Sequence, residues 1–92
     1  MSRPPNTESV FRALGHPIRR RVVELLARGE RTAGELMDAG DIQRPTLSEH
    51  LRTLCATGVI AYRRRGNRLV YDLNRTGLSQ AGDWIARALR SK

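Results

Sequence analysis

Four arginines fall within positions 63–68, as Arg63, Arg64, Arg65 and Arg68, with Gly66 and Asn67 between the last two. A guanidinium is a permanently charged, planar fork of donors, so a cluster of them suits binding to a polyanion rather than proton transfer. Like charges held this close repel one another, and a phosphate backbone or a narrow minor groove would relieve that repulsion. A second set lies upstream. Thr46, Ser48, Glu49, His50, Arg52 and Thr53 bring hydroxyls, a carboxylate, an imidazole and a guanidinium into one short stretch. Such an inventory can hydrogen-bond phosphates and base edges alike. Residues for other chemistry are sparse. One cysteine, Cys55, and two histidines, His16 and His50, cannot build a closed zinc site or a disulfide framework within one chain. No nucleophile–base pair, glycine-rich phosphate loop or carboxylate dyad stands out, so no catalysis, metal or cofactor is expected.

The total charge supports the same direction. Lys plus Arg is 17 against 9 for Asp plus Glu, a net +8, and every base but Lys92 is arginine. Nucleic acid is the first partner class for such an excess and an anionic membrane surface the second. A chain of 92 residues supports one domain and leaves little room for an enclosed active site beside a core. Hydrophobic residues at 39% and charged residues at 28% describe a folding, globular chain. No apolar signal-peptide core follows the N-terminus, and no run approaches the roughly 18 apolar residues of a membrane span. A single cysteine fits a reducing compartment. A mature, cytoplasmic protein is expected.

The elements that must position these residues follow from periodicity. Residues 1–7, with two prolines and no apolar period, read as a flexible arm preceding a domain over 8–92. Asn6 or Thr7 can cap a short helix carrying Val10, Phe11 and Leu14, which Gly15 ends. Pro17 opens a second helix with Ile18, Val22, Leu25 and Leu26 on one face, and Gly29 is expected to close it as a left-handed cap. Thr32 and Glu35 have capping-box spacing and start a third helix reaching about Ala39. A fourth runs from about Arg44 to Thr57. Its Leu47, Leu51 and Leu54 share one narrow sector, with Thr46, Glu49, Arg52 and Thr53 opposite and Ser48 and His50 flanking. The period then changes to two: Val59–Arg64 and Leu69–Leu73 read as strands about a turn at Gly66-Asn67. Asn74 caps a last helix bearing Leu78, Ala81, Ile85, Ala88 and Leu89, with Trp84 at the stripe's margin. The expected fold is mainly α with a small β-hairpin, in the order α-α-α-α-β-β-α. That is a winged helix-turn-helix, with the fourth helix for a major groove and the hairpin as wing.

The stretches Ala13–Arg21, Asp41–Leu51 and Leu54–Ile60, then Arg64–Tyr71 and Asp83-Trp84-Ile85, resemble in order the motifs of the ArsR-type winged-helix repressors. The resemblance spans roughly residues 8–90. It implies a homodimer that binds palindromic double-stranded DNA and represses transcription. It also implies that Gln43, Arg44, Thr46, Ser48, Glu49, His50 and Arg52 face or approach DNA, together with a wing of Arg63 to Arg68. The first and last helices would supply the dimer surface: Val10, Phe11, Leu14, Leu78, Trp84, Ile85, Ala88 and Leu89. Two positions depart from the family pattern. Gly40 replaces a large apolar residue, which predicts a third helix that shortens or frays. Gln43 replaces the usual serine cap. The metal-sensing members' cysteine pair in the third helix is missing, and no histidine follows His50; any small-molecule effector is left open.

Plainer roles stand beside these. Arg19-Arg20-Arg21 reads as a solvated face, with Arg20 and Glu24 an i,i+4 pair. His16 reads as a local turn residue, and Cys55 as a small buried hydrophobe rather than a redox sensor. His50 is open between phosphate contact and packing beside Leu47 and Leu51. The rival functions are a nonspecific architectural or RNA-binding basic module and a protein-docking module. All four aromatics (Phe11, Tyr62, Tyr71, Trp84) are expected in core or interface, which would leave no stacking platform for single strands.

Overall fold

The computed structural model describes residues 6–91. The first five residues of the expected arm lie outside that range, and Thr7 already belongs to a helix. Helix α1 (Thr7–Ala13) starts where Asn6 Oδ1 accepts the Ser9 N–H. Helix α2 (Pro17–Leu26) has His16 as its cap, the imidazole Nδ1 accepting from Ile18 N at 3.1 Å, with Pro17 in the first turn. It ends at Leu26. Gly29, at φ 140°, lies three residues beyond and is not a left-handed cap.

Strand β1 (Arg31–Thr32) is an element that periodicity cannot reveal, because two residues show no period. Thr32 has two duties there. It pairs with Val70, and it caps α3 (Ala33–Gly40) in a full capping box, with Thr32 Oγ1 accepting from Glu35 N and Glu35 Oε1 from Thr32 N. Helix α3 does not fray at Gly40. A Cβ there would stand 2.8 Å from Ile42 Cδ1 and 3.3 Å from Leu25 Cδ1. The position is a close approach that Ile42 fills from the next turn, with Asp41 left-handed at φ 53°.

Helix α4 (Arg44–Ala56) begins at Gln43 without a side-chain cap. It closes in a Schellman arrangement, Gly58 N donating to Cys55 O and Val59 N to Leu54 O. Strands β2 (Ile60–Arg65) and β3 (Arg68–Leu73) then form the wing, paired antiparallel from Ile60–Leu73 out to Arg65–Arg68. Gly66 takes φ 63° and Asn67 does not turn positive, as in a type II′ hairpin. The sheet order is β1-β3-β2, and the element order therefore α-α-β-α-α-β-β-α. Helix α5 (Arg75–Arg90), capped by Asn74, returns along α1.

The core sits where α2, α3 and α4 meet the root of the wing. Leu26, Leu36, Leu47, Leu54, Val59 and Ile60 are its fully buried side chains of largest size, joined by Val10 and Val22. Two arginines expected on a solvated face, Arg19 and Arg20, instead close a helix end, and Arg31 does the same for α2. Arg19 Nε donates to Ala13 O and Arg20 Nη1 to Leu14 O, both at 2.7 Å, and Arg31 Nε to Leu25 O at 3.2 Å. Ala13 O and Leu14 O lie at the end of α1 without a backbone donor among the described residues, and Leu25 O shares its lone pairs between Arg28 N and Arg31, so a forked donor near them satisfies the helix end and its dipole. The expected Arg20–Glu24 pair is thereby replaced, and Glu24 lies 4.0 Å from Arg21 instead. Among the described residues no helix is long and apolar enough to cross a membrane.

Candidate nucleic-acid interface

The burial of Leu47, Leu51 and Leu54 fixes how α4 is rotated, and so which side chains it turns outward. Gln43, Arg44, Thr46, Ser48, Glu49 and Arg52 are all exposed, as the sequence predicts. Arg44, Ser48 and Arg52 line one cleft together with Arg68 of the wing, so recognition helix and wing open toward the same side. Among the described residues, the side chains of Arg44, Arg52, Arg64 and Arg68 make no hydrogen bond or ion pair of their own.

The wing's other two arginines are different. Arg63 grips Glu30 through both terminal guanidinium nitrogens, Nη1 and Nη2, at 2.6 and 3.0 Å, and Arg65 reaches the same carboxylate at 2.8 Å. The Arg63 hydrogen bond, with the charge of both arginines, holds the Glu30 carboxyl below its usual range despite some opposing desolvation. The repulsion among four wing arginines is thus relieved partly from within the chain, and Glu30 is the site residue that sequence reasoning missed. Its one signal was adjacency to Arg31–Thr32. Recognising β1 would have placed Glu30 beside the wing.

His50 is a correction. It is only 7% exposed, its ring 4.3 Å from that of His16 and its Nδ1 without a partner. It packs the fourth helix against the start of the second and is turned away from the exposed face. Burial, then the neighbouring His16 and Arg19, hold its imidazole below the usual pKa, with Glu49 opposing weakly. The sign is that of a depressed group. The neutral ring is favoured when folded, so stability is full above the ordinary histidine pKa of about 6.5 and is lost as pH falls below it. The urea midpoint is expected to drop between pH 7.5 and 5.5, a window above the carboxylate titrations. His50→Leu should flatten that decline; an equal decline in the variant would assign it elsewhere.

On the opposite side, Val10 also departs from expectation. It is fully buried within the protomer because α1 turns Val10 and Ala13 inward. Phe11 faces α5, edge-on to Trp84 at 5.5 Å, while Leu14 and Leu78 are half-buried against the core. Only Gly77 and Ala81 of α5 are buried. Trp84, Ile85, Ala88 and Leu89 remain exposed, Leu89 at 81%. Tyr62 corrects the placement of the aromatics: at 56% exposure it lies beside Tyr71 on the wing, past the reach of the core that covers Ile60.

Residues 16–62 match the sequence profile of bacterial regulatory proteins of the arsR family. The chain belongs to the arsR family. Over 77 residues this arsR-family chain is 36% identical to the transcriptional repressor SdpR of Bacillus subtilis, covering 84% of the chain and 86% of SdpR. It is 37% identical over 70 residues to a probable mercury resistance operon repressor of Streptomyces lividans, covering 76% of the chain and 56% of that protein. Among solved structures, an ArsR family transcriptional regulator superposes with a TM-score of 0.78 at 27% identity, over 97% of this chain and 93% of the other. The homodimeric winged helix-turn-helix DNA-binding domain of a possible ArsR-family regulator from Mycobacterium bovis does so at 0.71 and 28% identity, over 89% and 74%.

Proposed function

We propose that the protein is a repressor that binds a palindromic operator in double-stranded DNA as a homodimer, acting in the cytoplasm. The observation that carries this reading is the row of unpaired cations shared by two elements: Arg44 and Arg52 on α4, Arg64 and Arg68 on the wing. Exposed hydroxyl, amide and carboxylate groups of Gln43, Thr46, Ser48 and Glu49 lie among the α4 pair. A helix of this kind fits a major groove, where such groups meet base edges, while the wing follows the backbone. A second copy docked through Trp84, Ile85, Ala88 and Leu89, with Phe11 and Leu14 alongside, would set two recognition helices about one helical turn, roughly 34 Å, apart.

Selection of bound sequences from random duplexes tests this reading, and a palindrome with that half-site spacing is the expected product. Recovery of sequences without consensus would instead indicate a nonspecific architectural module. Arg52→Ala and Arg64→Ala should separate the two kinds of contact. Loss of a base-reading guanidinium is expected to cost about 1–3 kcal/mol on the selected site and little on bulk DNA. Arg64→Ala should weaken all sequences alike and reduce the log–log salt slope by about 0.9 per protomer. An unchanged specific-to-nonspecific ratio for Arg52→Ala would remove it from base readout.

A further inference from the structure

Between α4 and the wing lies a cleft of about 830 Å³, within the roughly 300–1,000 Å³ usual for small-molecule sites. Its floor is apolar, made by Leu51 of α4 and by Leu69 and Tyr71 of β3, with the Cys55 thiol beside them. Burial pushes both the Cys55 thiol and the Tyr71 phenol up from their ordinary values, as a floor that disfavours charge does. The rim is the opposite. Arg44, Arg52 and Arg68 stand around the mouth, and among the described residues no carboxylate lines it. A phosphate backbone would use that rim but gain nothing from the floor, where Leu69 leaves 36% of its surface exposed. An apolar floor under unpaired guanidiniums matches a molecule with a hydrocarbon body and one anionic head.

We propose that this cleft binds an amphipathic organic anion, a carboxylate on an aromatic or branched hydrocarbon body, and that such a ligand competes with DNA. The competition rests on the DNA-binding reading. The ligand's head would neutralise Arg44, Arg52 and Arg68, and its body would stand between the two elements that must reach the duplex together. The protein thereby becomes a regulator released by a small hydrophobic acid.

Calorimetric titration of the full chain with 2-naphthoate tests the site, with 2-naphthol, neutral at pH 7, as the charge control. One naphthoate per protomer is expected, with 2-naphthol weaker by about tenfold or more for want of the charge-assisted bonds. Leu69→Glu, on an exposed wing position, and Arg68→Gln should each weaken naphthoate by a similar factor while the circular dichroism stays unchanged. Naphthoate at ten times its Kd should lower the apparent affinity about elevenfold for each protomer that must be free, and so about 120-fold for a dimer on the selected palindrome, and acetate at equal ionic strength should not.

Duplex binding without naphthoate binding would overturn the proposal and leave the DNA reading intact. Equal affinity for naphthol, or indifference to Leu69→Glu, would do the same. Naphthoate binding that leaves duplex affinity unchanged would refute the competition. Naphthoate binding in a protein with no affinity for any duplex would support the site and overturn the DNA reading.

Discussion

Replacing Ile85 and Leu89 together by aspartate is expected to yield a folded monomer that has lost most of its affinity for a two-half-site operator. The fold should survive because neither side chain is in the core: Ile85 is 46% and Leu89 81% exposed, while Ala81 and Leu78 hold α5 against the rest of the chain. Dimerisation should not survive. A contiguous apolar stripe carrying Trp84, Ile85 and Leu89 is what a two-fold interface would cover, and two carboxylates per protomer would be desolvated there without partners. The molar mass from light scattering should fall toward the 10.4 kDa of one chain, with the helical circular dichroism retained. Joining two half-site readers raises avidity by about 10²–10⁴, so operator affinity should fall by that order while binding to a single half-site changes little. A variant that remained dimeric would place the interface elsewhere on the protomer.

Replacing Glu30 by glutamine is expected to strengthen binding to duplex DNA of every sequence. In the folded chain the Glu30 carboxylate occupies Arg63 through two hydrogen bonds and Arg65 through a third. It takes the donors that a phosphate would need, so those guanidiniums could bond a backbone only by giving up an internal partner. Glutamine keeps the size and removes the charge. Two further phosphate contacts per protomer should steepen the log–log salt dependence by about 1.8 per protomer, at 0.9 for each. Filter-binding or anisotropy titrations between low and physiological salt would measure the slope. A fall in affinity at constant slope would give Glu30 the contrary role, that of aiming Arg63 and Arg65 at the backbone. Because the ion pairs are exposed, little change in folding stability is expected.

These two variants probe features that differ in how far they can be read from residue order. The stripe on α5 is a matter of spacing. Leu78, Ala81, Ile85, Ala88 and Leu89 share one side of any helix, and the same logic assigned Leu47, Leu51 and Leu54 to the interior of α4 and left Thr46, Glu49 and Arg52 outside. The Glu30 contact joins residues 33 and 35 positions apart through a strand of two residues, and no local pattern records it. His50 shows the same limit within one helix. It borders the buried stripe at a position where either side is available, and His16, arriving from the start of α2, decides for burial. Val10 belongs to the apolar face of α1 by spacing, but a seven-residue helix has too few turns for its sequence to say which neighbour each face will meet, and packing buries Val10 within the protomer.

By itself the sequence determined the partner class and the frame: +8 of charge, carried almost wholly by arginine, on four helices, a hairpin and a final helix. Periodicity and capping are short-range, governed by contacts within a turn or a strand pair, and they survive without knowledge of the fold. Tertiary structure decided which of those charges are available. Arg19, Arg20 and Arg31 are spent on helix-end carbonyls and Arg63 and Arg65 on Glu30, whereas Arg44, Arg52, Arg64 and Arg68 have no internal partner among the described residues. The reason is physical. A guanidinium is long enough to satisfy any carbonyl or carboxylate that the fold brings within reach, and those acceptors come from segments that only packing places beside it. The charge that could grip DNA was written in the composition, and the fold selected the part of it that faces outward unpaired.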